Sequence, residues 1–271
     1  MTAYFLAVIS SITYGAADFC GGLATKRGTP LLAVVVFSQL TGLVLVMIAL
    51  PFLPRAAPTA IDFAWGAAAG LAGGIGVALL YRALAVGVMS VVAPVTAVCA
   101  VIVPLLVGLL LGERPTLLAM IGVALAVLAI VLVSQSGEKH AATGVLTAIG
   151  SGVIIGFFLV FLARSGPSAG LWPLIAARVV SVSFFAVPNR AVPSRKSLPL
   201  IIGGGALDML ANILYVLAVR QGLMSIVAAL TSLYPTSTII LARIVLRERL
   251  RAVQMAGVAC AGLAIVLIVT G

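Results

Sequence analysis

Apolar residues fill this chain in ten blocks of about 17 to 23 positions, and the polar residues gather in the short gaps between them. At 1.5 Å of rise per residue, a helix of that length matches the roughly 30 Å hydrocarbon core of a bilayer. The pattern predicts membrane-spanning helices over residues 3–23, 31–52, 63–83, 88–110 and 117–133. A second set follows over 142–163, 170–187, 198–219, 224–246 and 252–270. The gaps carry turn chemistry, as in Arg27-Gly28-Thr29-Pro30, Gly112 to Pro115, Ser134 to His140 and Ser165-Gly166-Pro167.

The blocks repeat. Residues 87–133 return at 222–268, each shifted by 135, with 20 of 47 aligned positions identical. Gly87, Met89 and Ser90 face Gly222, Met224 and Ser225, and the charged pair Glu113-Arg114 falls in register with Glu248-Arg249. Apolar low complexity produces chance identities, but a charged pair in register is hard to obtain that way. The expected units are residues 1–136 and 137–271, five spans each. Because five is odd, the second unit enters the membrane from the opposite side, so the repeat is inverted. The fold expected is an all-α integral membrane protein with ten transmembrane helices in two inverted five-helix repeats, an arrangement that places a binding site near the bilayer midplane.

Composition agrees. The chain is 63% hydrophobic and only 8% charged, with a mean hydropathy of +1.32, whereas soluble domains carry about 25% charged residues. Ten spans would use about 200 of the 271 positions, which excludes an additional soluble catalytic domain. The net charge of +10 comes from basic residues at span ends, including Lys26-Arg27, Arg195-Lys196 and the run from Arg247 to Arg251. There they meet lipid headgroups and set orientation rather than hold nucleic acid. No basic n-region or cleavage site precedes the first apolar run, which is expected to be retained as a span. Cys20, Cys99 and Cys260 lack metal-type spacing and read as small buried hydrophobes without a disulfide.

Alternating loops hold ten basic residues on one side and four on the other, so the positive-inside rule places both termini outside. Small residues every fourth position form ridges at Gly66, Gly70 and Gly74, and at Gly144, Ala148, Gly152 and Gly156, which let helix backbones approach closely. Trp65 and Trp172 near span ends read as interfacial anchors.

With two five-helix halves, the stretches Tyr81 to Gly87 and Tyr215 to Gly222 ending third-type helices, and a Glu-Arg pair closing the fourth and ninth, the chain resembles the drug/metabolite transporter superfamily, in particular its ten-helix EamA-type branch. That resemblance implies a secondary transporter, often an exporter, for small metabolites, amino acids or drugs, with a central cavity between the halves. It also implies cytoplasmic termini, opposite to the charge count.

Charged groups inside spans are few: Asp18, Arg178, Asp208 and, nearer an end, Arg243. Each costs roughly 2.5 to 3.5 kcal/mol at the bilayer centre and so faces a cavity or a partner. Asp18 shares a helix face with Ser11, Tyr14 and Gly22; it either binds a cationic group or coupling proton, or pairs permanently with an arginine. Arg178, with Gln39 at a comparable depth, needs an anion or several carbonyls. A substrate carboxylate would supply that, and so would a fixed pair with Asp18 or Asp208. Asp208, Asn212 and Tyr215 project from one face of the eighth span, where Gly74, Ala78 and Tyr81 stand in the third. This asymmetry suits a substrate site, although an interhelical hydrogen bond would also account for it. Pro235 is expected to free the carbonyl of Thr231, and Pro104 that of Ala100, either lining a cavity or marking a kink; Thr231 and Tyr234 join the candidates on that ground.

The substrate-binding or coupling set is therefore Tyr14, Asp18, Gln39, Tyr81, Arg178, Asp208, Asn212, Tyr215, Thr231 and Tyr234. No catalytic residue, metal site or cofactor is expected. The lone His140 falls in a loop, and there is no phosphate-binding loop for ATP. The expected partners are a small-molecule substrate, the lipid bilayer and coupling protons, with no nucleic acid, in a monomer or homodimer of the cytoplasmic (inner or plasma) membrane. The competing readings are a membrane-embedded enzyme, which lacks a nucleophile or metal set, and a non-transporting membrane subunit, which lacks extramembrane surface.

Overall fold

The computed structural model describes residues 1–52, 55–133, 144–246 and 252–270. The Glu248-Arg249 pair, Lys139, His140, the basic run from 247 to 251 and the expected boundary at 136/137 lie outside them. Among the described residues the α-helices are α1 (Thr2–Lys26), α2 (Leu31–Ala49), α3 (Ala60–Val86), α4 (Met89–Leu110), α5 (Leu117–Val133) and α6 (Val145–Ala163). They continue with α7 (Trp172–Ala186), α8 (Leu198–Val219), α9 (Met224–Thr231), α10 (Pro235–Leu246) and α11 (Ala252–Thr270). Short 3-10 turns, Leu50–Phe52 and Pro167–Ala169, follow α2 and precede α7.

Among the described residues, seven segments are long and apolar enough to cross a membrane, with α9 and α10 counted together over Met224–Leu246. Leu117–Ala129, Trp172–Ala186 and Met255–Ala264 are apolar but shorter. Phe5, Ile48, Leu146 and Ile244 are among many large apolar side chains left exposed, the surface expected where lipid rather than water is the solvent.

The ninth expected span is two helices, not one. Pro235 has no N–H to donate and its ring collides with the carbonyl four residues back, so the chain turns over Ser232 to Tyr234 and α10 restarts with proline in its first position. The turn takes up the group the sequence reading left free: the Thr231 carbonyl accepts from the Tyr234 N–H at 3.3 Å. Pro94 and Pro104, by contrast, leave α4 continuous. Gly144 does not belong to the α6 ridge either; it caps the helix with φ +86, a left-handed conformation in which glycine carries no Cβ penalty.

The other small-residue positions set the packing. A Cβ on Gly66 or Gly70 would run into the α7 backbone at Pro173 or Ala177, and one on Gly74 would lie 2.7 Å from the Phe185 ring. Gly152 and Gly156 hold α6 against Thr96, Cys99 and Val103 of α4 in the same way. Contacts pair α1 with α8, α3 with α6 and α7, α4 with α6, and α2 with α7 and α8, while α5 and α11 pack on each other. Trp65 stacks on Phe161 with Arg164 5.8 Å from its ring, and Trp172 meets Phe63 edge-on.

Polar bonds tie loops to helix starts. Asp62 closes a capping box with Thr59 at the start of α3, and its other oxygen accepts from the Gly166 N–H at 2.6 Å. Glu113, in the loop after α4, caps α9 from outside: it accepts from the Met224 N–H at 2.8 Å, the Ser225 N–H at 3.0 Å and the Ser225 hydroxyl at 2.5 Å. A carboxylate there meets both unsatisfied N–H groups and the positive end of the helix dipole.

Candidate functional site

Where α1, α2, α3, α6, α7 and α8 converge beside the α9–α10 break, they enclose a cavity. About 50 Å³ of it is open to the centres of water-sized molecules, enough for a few waters. Eight of the ten sequence candidates line it: Tyr14, Asp18, Gln39, Arg178, Asp208, Asn212, Thr231 and Tyr234. Glycines 70, 73 and 74 of α3 form part of the wall, with Phe158, Leu159 and Leu174 supplying apolar surface.

Arg178 is held on two sides. One guanidinium nitrogen donates to the Gln39 side-chain oxygen and another to Asp208 Oδ2 at 2.5 Å, an ion pair with side-chain exposures of 7% and 13%. Its choice among the two expected carboxylates is thus Asp208. Ser181, one turn beyond Arg178, donates to the same Gln39 oxygen at 3.3 Å. The Asn212 amide turns back to donate to the Asp208 carbonyl at 2.6 Å, leaving its Oδ1 without a donor.

Asp18 is different. It is 7% exposed, yet no ion pair or hydrogen bond reaches its carboxylate from the described residues. The hydroxyls of Tyr14, Thr231, Ser232 and Tyr234, Arg178 Nε and Asn212 Oδ1 are also buried without partners. Buried polar atoms are nearly always bonded in folded proteins, so the polar atoms around this void carry hydrogen-bonding capacity that the described residues do not use.

The other two sequence candidates stand elsewhere, as does Arg243, the charge nearer a span end. Tyr81 is buried with its ring against Gly21 of α1, where a Cβ would overlap it, so it packs α3 on α1 rather than facing the void. Tyr215 is fully buried and donates to the Leu159 carbonyl at 3.0 Å, an α8-to-α6 link. Arg243 is exposed in the last turn of α10. The sequence reading missed Ser181 and Ser232, although each lies within three residues of a residue it chose.

Apolar outer faces around a buried polar cavity make this a multi-pass membrane protein. The model of the EamA-like transporter family matches the sequence twice, over residues 1–135 and 142–270, and the chain belongs to that family. None of the curated proteins matches it. A solved structure described only as "Crystal structure of protein" superposes with a TM-score of 0.66 at 15% identity, covering 96% of this chain and 95% of that one. At that identity the likeness speaks for the fold alone.

Proposed function

We propose that the protein is a secondary transporter that exports a small metabolite, amino acid or drug-like amphipathic compound across the cytoplasmic membrane. Two inverted five-helix units, 1–136 and 137–271, would rock about the central cavity, exposing it to each side in turn. The observation that carries this reading is the cavity itself: ionisable and hydroxyl groups from separate helices converge on one buried void with their bonding capacity unmet. A packing seam gains nothing from unmet polar atoms, each of which costs about 1 to 3 kcal/mol when buried. A carrier needs them free for its substrate. Family membership supports the transport activity, and the repeated Glu-Arg and Gly-x-Met-Ser sequences support two related halves. We place the termini outside on the ten-to-four distribution of loop charge, with Asp18 carrying a coupling proton.

The test is solute flux. Cells overexpressing the protein, challenged with panels of toxic amino acids and amphipathic compounds, should show resistance for the exported class; hypersensitivity would reverse the direction. Purified protein in sealed vesicles should then move that solute, and vesicles no more permeable than protein-free controls to every solute that alters growth would refute the reading. Reporter fusions at the C-terminus decide orientation, an active periplasmic reporter being the expected result.

A further inference from the structure

Charge counting narrows the occupant, on the reading that this cavity is the transport site. The acidic and basic side chains lining it are Asp18, Asp208 and Arg178. Arg178 and Asp208 cancel in their ion pair. Asp18 is left over, buried and without a donor. An uncompensated carboxylate at this depth is costly, so the cavity is stable in two states only: Asp18 protonated, or Asp18 ionised beside one positive charge.

The unmet atoms say what kind of cation. Asn212 Oδ1 and the Asp18 carboxylate accept and cannot donate, the hydroxyls of Tyr14, Thr231, Ser232 and Tyr234 do either, and Arg178 Nε is the one lining atom of this group that only donates. An ammonium carries several N–H donors and no acceptor, which complements every member of that set but Arg178 Nε. A carboxylate-bearing ligand would compete with Asp208 for Arg178, whose guanidinium is already engaged by two side chains. Phe158, Leu159 and Leu174 offer an apolar wall for a short hydrocarbon body, and the small void limits its size.

We infer that the site takes a small primary ammonium compound of single net positive charge, exchanged one for one against the proton on Asp18. The ammonium keeps its protons throughout. Asp18 releases its proton to water on one side, takes the ammonium, and is reprotonated after releasing it on the other. The cavity is neutral in each crossing, so the exchange is electroneutral, driven by a pH difference and indifferent to membrane potential. The other titratable or charged groups around Asp18 are Tyr14 and Cys20 on α1, Tyr81 on α3, Arg178 on α7, Asp208 on α8 and Tyr234 at the α9–α10 break. The tyrosines and the cysteine are uncharged near neutral pH, and Arg178 and Asp208 are tied to each other in their ion pair. Asp18 is the group left to titrate.

The test uses purified full-length protein in detergent and four probes of similar size at equal ionic strength: n-propylammonium, propan-1-ol, propionate and the zwitterion β-alanine. Thermal stabilisation should come from n-propylammonium alone. Its apparent affinity should fall about tenfold per unit of pH once the medium is acidic enough to protonate Asp18. Asp18→Asn should lose the stabilisation while melting as a single folded species. If that variant does not fold, the wild-type pH dependence decides. Stabilisation by β-alanine or propionate equal to that by n-propylammonium overturns the inference, as does no shift with the ammonium or a pH-independent one. A zwitterion or anion that binds and is transported would sink the ammonium assignment and leave the transport reading standing. Binding of n-propylammonium without flux of any solute would do the reverse.

Discussion

Glu113 and Asp18 are both carboxylates in strongly apolar surroundings, and their environments are opposite. Glu113, at a loop, receives three hydrogen bonds from the start of α9, a segment 111 residues away in sequence. Asp18, in the middle of α1, receives none from the described residues. A carboxylate with its oxygens filled is a structural fastener: it fixes where α9 begins and has no capacity left for a ligand. One with its oxygens empty, in a cavity with other unpartnered polar atoms, contributes little to holding helices together. On the proposed reading, the difference separates stability from function within one molecule. Asp208 stands between the two, lining the cavity yet committed to Arg178.

The sharpest challenge to that separation is Asp208→Ala. It strands the Arg178 guanidinium inside the bundle, and breaking a buried pair from one side costs about 3 to 5 kcal/mol. Thermal unfolding should show the loss, and adding Arg178→Met should recover much of it. A single mutant as stable as wild type would mean that Arg178 finds other acceptors and that the pair is not structural.

Glu113→Ala comes next. Losing a charged cap that serves two N–H groups and a hydroxyl should destabilise by about 2 kcal/mol, and Glu113→Gln by less because one oxygen remains to accept. Hydrogen exchange should localise the loosening to the first turn of α9. Loosening spread evenly over the bundle would break the view of Glu113 as a local fastener.

Tyr215→Phe is smaller, about 1 kcal/mol, for one hydroxyl donated to the Leu159 carbonyl. Substrate affinity should not change, since Tyr215 faces α6 and not the cavity. A large affinity change with unaltered melting would return Tyr215 to the site.

How much of this was legible beforehand follows from which forces are local. The helical segments were, because an apolar run of span length dictates a helix wherever lipid leaves backbone groups no other partner. The cavity residues mostly were, because a charge within such a run must face inward. What failed was rotation about a helix axis. Tyr215 lies on the stripe of Asp208 and Asn212, but its longer side chain reaches a neighbouring helix, and the spacing alone does not say which neighbour is there. The partner of Arg178 was likewise open between two aspartates, since only packing brings α7 and α8 to the right register. The capping roles of Asp62 and Glu113 were not legible, because each accepts from a backbone N–H 104 or 111 residues away, a pairing that no local pattern announces. Pro235 was legible as a disturbance, but the turn that reuses the Thr231 carbonyl depends on Ser232 to Tyr234 adopting a tighter bend than a kinked helix would need.

The central claim is that Asp18 is kept free for a ligand or proton and does not hold the fold together. Asp18→Asn tests it most directly when melting and transport are measured on the same preparation. The account predicts a melting temperature equal to or above wild type, because a neutral amide replaces an unpaired buried acid, together with loss of gradient-driven accumulation. A variant that melts well below wild type, or one that melts normally and accumulates substrate against a gradient as wild type does, would contradict it.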